Sequence, residues 1–286
     1  MDQTLIEVSV PGSSGKVPVS VVIPCYRCSH TIRAAVDSVI SQSAWPMEII
    51  LVEDCCGDGG QTLTFLESIK TELQGDIRIR VLSLPENRGP GEARNAGWSV
   101  ASQEFIAFLD ADDTWHPRKL EIQIAWMMAH PDCVLTCHDS KVCFKERLPP
   151  LPTGVLREQA VRWRRMLFRN EIATRTVVLR RQIIQRFPAG VRHAEDYGLW
   201  LRILFEGEIV MRLCLPLACS YKPEYGAGGL SGDLTVMHRG ALHCFEELFR
   251  DRLISRSMYF LAVAFEVIKY WRRIAVTVAR RGKCLD

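Results

Sequence analysis

Three aspartates fall within four positions in the stretch EFIAFLDADDTWHP: Asp110, Asp112 and Asp113. Carboxylates this close repel one another, so the arrangement calls for a positive partner. A divalent cation is one candidate, since Mg²⁺ is usually held by one or two carboxylates together with substrate phosphates. Asp110 and Asp112, two positions apart, can aim at one ion as the chain leaves a strand. The other reading is helix capping. DDTWHPRKLE leads into a helical pattern with Pro117 near its first turn, and Asp113 or Thr114 could serve that start. A second acidic pair, Glu195 and Asp196 in RHAEDYGLW, opens the amphipathic segment YGLWLRILFEG. Acids there complement a helix dipole, and the same pair could supply a general base. A metal site built on His193, Glu195 and Asp196 would lack a second histidine at ligand spacing.

The elements that must carry these residues alternate. VPVSVVIPCY (17–26) reads as a strand followed by a helix in TIRAAVDSVISQ. MEIILVED (47–54) is a second strand, closed by the glycine-rich turn CGDGG and followed by a helix in QTLTFLESIKTEL. IRIRVLSLP (77–85) is a third strand, GEARNAGWSVAS a helix opened by glycine, and EFIAFLD a fourth strand. Strand alternating with helix implies a parallel sheet covered on both faces. In open sheets of this kind ligands bind beyond the carboxyl ends of the strands. Pro24 to Tyr26, Glu53–Asp54 and Asp110–Asp113 all fall at such ends.

Composition narrows the classes. The 286 residues are 48% hydrophobic and 24% charged, which suits a globular protein with a sizeable core. A formal net charge of +3 is too small to argue for nucleic acid. MDQTLIEVSVPGSSGK has an early acid and no apolar core, so it does not read as a signal peptide. No apolar run reaches the roughly 18–20 residues of a spanning helix. Eleven cysteines in that setting suggest reduced thiols and a cytoplasmic location. Cys25 and Cys28 have C-x-x-C spacing and Cys55 and Cys56 are adjacent, but no second C-x-x-C completes a zinc site; they read as packed thiols.

VSVVIPCYR, IILVED, ENRGPGEARNAG, FLDADDTWHPRKLE and AEDYGLWLR stand in the order seen in family 2 glycosyltransferases of the GT-A fold, and residues 17–232 resemble that family. The resemblance implies an α/β fold with a mainly parallel sheet, split into a nucleotide-sugar half (17–115) and an acceptor half (116–232). It implies an inverting transfer from a nucleoside diphosphate sugar to a glycan or lipid-linked acceptor, assisted by Mn²⁺ or Mg²⁺. Pro24, Tyr26 and Asp54 match the base and ribose pocket, with Glu53 read as pointing away. Arg94 and Asn95 match residues near the nucleotide and donor sugar. Asp112 matches a metal ligand, and Asp110 a contact to ribose or to the metal and its water. Asp196 matches the catalytic base, with Glu195 supporting the acceptor. Ser231 matches a serine that reaches the diphosphate. Many relatives carry a histidine near the end of the domain where this chain has SYKPEYGAGGLSG, and Glu224 stands near that place as a replacement ligand or an ordinary loop acid.

Residues 233–286 lie beyond the resemblance and read as a helical extension. RDRLISRSMYFLAVAFEVIKYWRRIAVTVARRGK mixes apolar runs with Arg272, Arg273, Arg280, Arg281 and Lys283. A basic, aromatic-bearing amphipathic helix suits a membrane surface, which would make the protein peripheral on the inner face of the cell membrane. Packing on the core with solvated charges is the other reading. The arginines of REQAVRWRRMLFRN (157–170) pose the same choice between lipid phosphate and water. Two other functions fit such a sheet. A nucleotidyltransferase would want a glycine-rich phosphate loop after the first strand, and PCYRCSHTIR lacks the glycines. A nucleotide-binding scaffold would not need Asp110, Asp112 and Asp196.

Overall fold

The computed structural model describes residues 15–73, 75, 77–143, 151, 156–221 and 233–282, with side chains to residue 277. Four strands, β1 (Lys16–Cys25), β2 (Trp45–Glu53), β3 (Arg78–Ser83) and β4 (Phe105–Phe108), pair in parallel in the order β3-β2-β1-β4. The helices between them are α1 (Ile32–Ile40), α2 (Gln61–Glu72) and α3 (Pro90–Val100). This is the expected alternation, and it rests on two-sided burial. Along β1, Val19, Val21 and Ile23 join a core with α1, while Val22 faces a second core with α3. Period-two alternation with apolar residues on both sides is what a sheet covered on both faces requires. Gly97 lets α3 lie close on β1, since a Cβ there would sit 2.4 Å from Val22 Cγ1.

The second half completes the same sheet. It adds β5 (Asp113–Trp115), α4 (Lys119–Ala129), β6 (Cys133–Val142), β7 (Glu158–Ala160), α5 (Trp163–Met166), β8 (Val178–Arg180), α6 (Glu195–Phe205) and β9 (Ile209–Ser220). The order continues from β4 through β8, β6 and β9 to β5, with β7 also on β9. β8 runs antiparallel to β4 and β6, so the sheet is mixed and joins the halves expected at 17–115 and 116–232.

Two expectations change here. Asp113 and Thr114 do not cap a helix: they belong to β5, where Asp113 pairs with Ser220 and Thr114 with Cys219. α4 begins only at Lys119, with Arg118 before it and no side-chain cap. The pattern of acids before Pro117 is the same in both cases; what differs is a partner strand more than 100 residues away. The reduced-thiol reading also fails at one place, because Cys143 and Cys219 form a disulfide between the end of β6 and β9, their Cα atoms 5.8 Å apart. Cys25, Cys28 and Cys56 are buried free thiols, as expected.

The extension folds as α7 (Leu234–Arg250) and α8 (Arg256–Gly282). Asp233 caps α7 by accepting from the amides of Thr235 and Val236 at 2.8 and 3.1 Å. Phe245 and Leu248 of α7 and Ala262 of α8 enter the core beside α6. Among the described residues no helix is long and apolar enough to cross a membrane.

Candidate active site

The aspartates at the end of β4 find a protein cation before any ion is considered. Arg94, on α3, donates from Nη2 to Asp110 Oδ1 at 2.6 Å and from Nη1 to Glu195 Oε1 at 2.9 Å. One buried guanidinium thus ties the 110–113 cluster to the acidic pair that opens α6. A planar fork suits this bridging, because each arm meets a different carboxylate. Arg94 also lies over the Phe187 ring, 5.4 Å from its centre. Burial opposes its charge, but Asp110 and Glu195 outweigh that and keep it protonated.

α3 and α6 meet at Gly91. A Cβ there would sit 2.9 Å from Glu195 Cγ and 3.3 Å from Phe187 Cβ, so the close approach depends on the missing side chain. On the other side of the junction Ala194, with φ 59°, turns the chain into α6 without a side-chain cap. Burial pushes the Glu195 carboxyl up to about 7 despite the Arg94 charge.

Asp196 is half-buried beside this bridge. Its Oδ2 accepts from Thr174 Oγ1 at 3.1 Å and its Oδ1 from the Tyr197 amide at 2.7 Å. The second contact satisfies one amide of the first helical turn, so part of the capping reading holds. Burial raises the carboxyl above the ordinary aspartate value, with Arg94 opposing. Such a group is a better proton acceptor than a solvated aspartate. A metal site on His193 and the two acids is not formed: Glu195 is committed to Arg94, and no group of three ligating side chains suited to a metal occurs among the described residues.

Asp113 has its own cation, Arg175, at 3.5 Å, and Arg175 also donates to Ser140 Oγ at 3.0 Å. Burial, together with the negative charge of Asp110 and Asp112, pushes Asp113 up to about 7 against the pull of Arg175. The end of β4 and the start of α6 thus bring the carboxylates of Asp110, Asp112, Asp113, Glu195 and Asp196 into one region, bridged by Arg94. Hard oxygen donors of this kind suit a divalent cation that Asp112 and Asp110 could hold, with a substrate's phosphates completing its oxygen ligands.

At the ends of β1 and β2, Pro24 is partly exposed and Tyr26 half-exposed at the sheet rim. Asp54 is buried there. Its carboxylate accepts from the amides of Arg88 and Gly89, each at 2.8 Å, and from Asn87 Nδ2 at 3.1 Å. Asp54 thus holds the loop that feeds α3, and both its oxygens are in use. Glu53 is buried and accepts from the Cys56 amide at 2.6 Å and from Ser83 Oγ at 2.7 Å. Asn95 is likewise committed to main chain, donating to Phe187 O at 2.8 Å and accepting from the Phe187 amide at 3.1 Å. Backbone groups turned away from the sheet ladder need partners, which explains both arrangements. Glu224 and Ser231 lie outside the described residues.

The geometry and the comparisons converge. A model of the family described as glycosyl transferase family 2 matches residues 20–185. The chain belongs to glycosyl transferase family 2. It is 30% identical over 209 residues to the Escherichia coli UDP-Glc:alpha-D-GlcNAc-diphosphoundecaprenol beta-1,3-glucosyltransferase WfgD, covering 71% of this chain and 76% of that protein. Its fold is similar to S. aureus TarS 1–349 in complex with UDP-GlcNAc, with a TM-score of 0.66 and 20% identity over 87% of this chain and 71% of that one. It is also similar to the mannosyltransferase PcManGT from Pyrobaculum calidifontis in complex with GDP-Man and Mn²⁺, with a TM-score of 0.61 and 16% identity over 94% and 80% of the two chains. At these identities the solved structures speak for the fold, the mainly parallel GT-A sheet. As a family 2 glycosyltransferase, the chain is set apart from the nucleotidyltransferase and scaffold readings.

Three residues of this candidate site carried no sequence signal. Thr174 and Arg175 lie in a short turn before β8, and Arg192 donates to Asn87 Oδ1 and O at 2.7 and 2.6 Å, latching the 87–89 loop to the α6 entry. Their roles come from partners 22 to 105 residues away.

Proposed function

We propose that this enzyme transfers a sugar from a nucleoside diphosphate sugar to a hydroxyl of a glycan or lipid-linked acceptor, with inversion, and that Asp196 is the base. The observation that carries the reading is the Arg94 bridge, which joins the Asp110 cluster and the Glu195–Asp196 pair into one site. The likeness to WfgD, whose name gives a UDP-glucose donor and a diphosphoundecaprenol-linked acceptor, supports the substrate classes.

Residues 17–232 form the catalytic unit in this proposal. Pro24 and Tyr26 line the nucleotide end, and Asp54 shapes its edge through the 87–89 loop. Asp112, with Asp110, would hold Mn²⁺ or Mg²⁺, which when bound neutralises charge on the leaving diphosphate. Thr174 and the Tyr197 amide orient the Asp196 carboxylate. Asp196 takes the acceptor's proton as the acceptor oxygen bonds to the anomeric carbon and the bond to the diphosphate breaks. Glu195, held by Arg94, borders the acceptor side. With a lipid-linked acceptor the reaction runs at a membrane surface, with the enzyme peripheral on the inner face.

Asp196→Asn tests the assignment. It keeps size and can still cap, but it cannot take a proton. Turnover falls by about 10²-fold or more, while affinity for the nucleotide with metal stays near wild type. Near-normal turnover would remove Asp196 as the base.

A further inference from the structure

An ordinary surface helix turns its apolar stripe inward and its charges outward. α8 is apolar on both faces. Its inward face packs Met258, Tyr259, Ala262 and Val263 on the core and buries the carboxylate Glu266, which is paired with Lys269 at 2.5 Å and Arg273 at 3.4 Å. Tyr270 faces inward too, stacked on His238 of α7 with ring centres 4.4 Å apart. The outward face carries Phe260, Leu261, Phe265, Ile268, Trp271 and Val276, of which Leu261, Ile268 and Trp271 are 59%, 65% and 63% exposed. The spacing, near four and seven residues, keeps them on one stripe about 24 Å long. Isolated exposed apolar side chains need no explanation, but a continuous stripe marks a surface that something covers.

The charges around the stripe say what that is. Between Arg256 and Gly282 the only acid is Glu266, and it is turned inward. Arg256 and Arg272 are exposed beside the stripe. The α5 segment lies against it: the Phe168 ring meets the Phe265 ring with centres 5.1 Å apart, and Lys269 Nζ donates to Phe168 O at 2.9 Å. That segment exposes Arg162, Arg164 and Arg169. An apolar stripe rimmed by arginines and lacking outward carboxylates complements an anionic bilayer, apolar side chains entering the headgroup boundary and guanidiniums meeting lipid phosphates. A second copy packed on the same face would bring arginine rim against arginine rim.

We propose that the outward face of α8 and the arginines of the α5 segment form one docking surface for an anionic lipid bilayer. This extends the acceptor reading above, on which it rests for its purpose. The surface is also tied to the site, because the Oη of Tyr197, the residue after Asp196, shares its proton between the carbonyls of Met166, which ends α5, and Leu167, at 2.8 and 2.9 Å. Docking thus holds the start of α6 at a set position relative to the bilayer, where a lipid-linked acceptor presents its hydroxyl.

The test is co-sedimentation of the full chain with vesicles of equimolar phosphatidylglycerol and phosphatidylcholine, and with vesicles of phosphatidylcholine alone. The wild type binds the anionic vesicles at low salt, at least tenfold more weakly without phosphatidylglycerol, and less as salt rises. Ile268→Glu with Trp271→Glu abolishes binding, and Arg162→Glu with Arg164→Glu weakens it at least tenfold. Calorimetric binding of UDP is unchanged in both, which shows that the variants are folded. No binding by the wild type, or equal binding by the α8 variant, overturns the proposal. So does a wild-type dimer in light scattering that the α8 variant splits, since a second copy then covers the face. Failure to glycosylate a lipid-linked acceptor, with vesicle binding intact, would overturn the acceptor reading and leave the docking surface standing.

Discussion

Arg94 Nη1 donates to Glu195 Oε1 at 2.9 Å across 101 residues of sequence, and both side chains are almost wholly buried. The contact fixes α3 of the nucleotide half to α6, which carries Asp196. Because the other arm of Arg94 holds Asp110, one side chain sets the distance between the proposed metal ligands and the proposed base.

Removing that cation leaves buried carboxylates unpaired. Arg94→Met should cost about 3–5 kcal/mol, the usual penalty for breaking a buried pair from one side. Arg94→Lys should recover only part of it, since one ammonium cannot reproduce the two-armed geometry. Urea unfolding measures the loss, and nucleotide affinity should fall with it.

Stability should depend on pH through Glu195. Its folded-state value is about 7, against about 4.3 in an unfolded chain. Between these values the folded state binds more protons, so the contribution is fully present below the lower value and is lost as pH rises through the upper one. The slope approaches about 1.4 kcal/mol per pH unit at most. Glu195→Gln should flatten it without removing it, because Asp113, also near 7, contributes in the same direction. Urea titrations from about pH 5 to about pH 8 on both proteins provide the comparison.

Gly91→Ala probes the α3–α6 junction. The added methyl would press on Glu195 Cγ, which cannot swing away without leaving Arg94. A loss of about 1–3 kcal/mol is expected from overpacking, with turnover reduced as the acidic pair shifts. Thermal unfolding and steady-state kinetics would read both; an unchanged protein would mean that the junction is loose.

Asp112→Ala should remove the metal dependence of nucleotide binding. Calorimetry with UDP, with and without Mn²⁺, should show the variant binding at the metal-free level of the wild type, with thermal stability unchanged because the residue lies at the sheet rim. Retained enhancement by Mn²⁺ would take Asp112 out of the metal site.

Much of the fold was legible along the chain. Val19, Val21 and Ile23 alternate with Val22 in one short run, and a strand apolar on both sides can only sit inside a covered sheet. The glycines and prolines that bound the strands and helices act locally, so β1 to β4 and α1 to α3 could be placed from neighbours alone. Asp110, Asp112, Glu195 and Asp196 stood out because acids at a strand end or helix start are local signals too. What the chain order does not contain is who meets whom. Asp113 and Thr114 read as caps until β9 pairs with them, and nothing along the chain tells that Asn95 meets the Phe187 main chain or that Asp54 holds the 87–89 loop. Thr174, Arg175 and Arg192 showed nothing in sequence, since an isolated threonine or arginine acquires its role only from the carboxylate or carbonyl opposite. The direction in which α8 turns its two faces was undecidable as well. A helical repeat gives the two faces, but only packing against α7, where His238 stacks on Tyr270 and lies beside the buried Glu266, decides which of them is left outside.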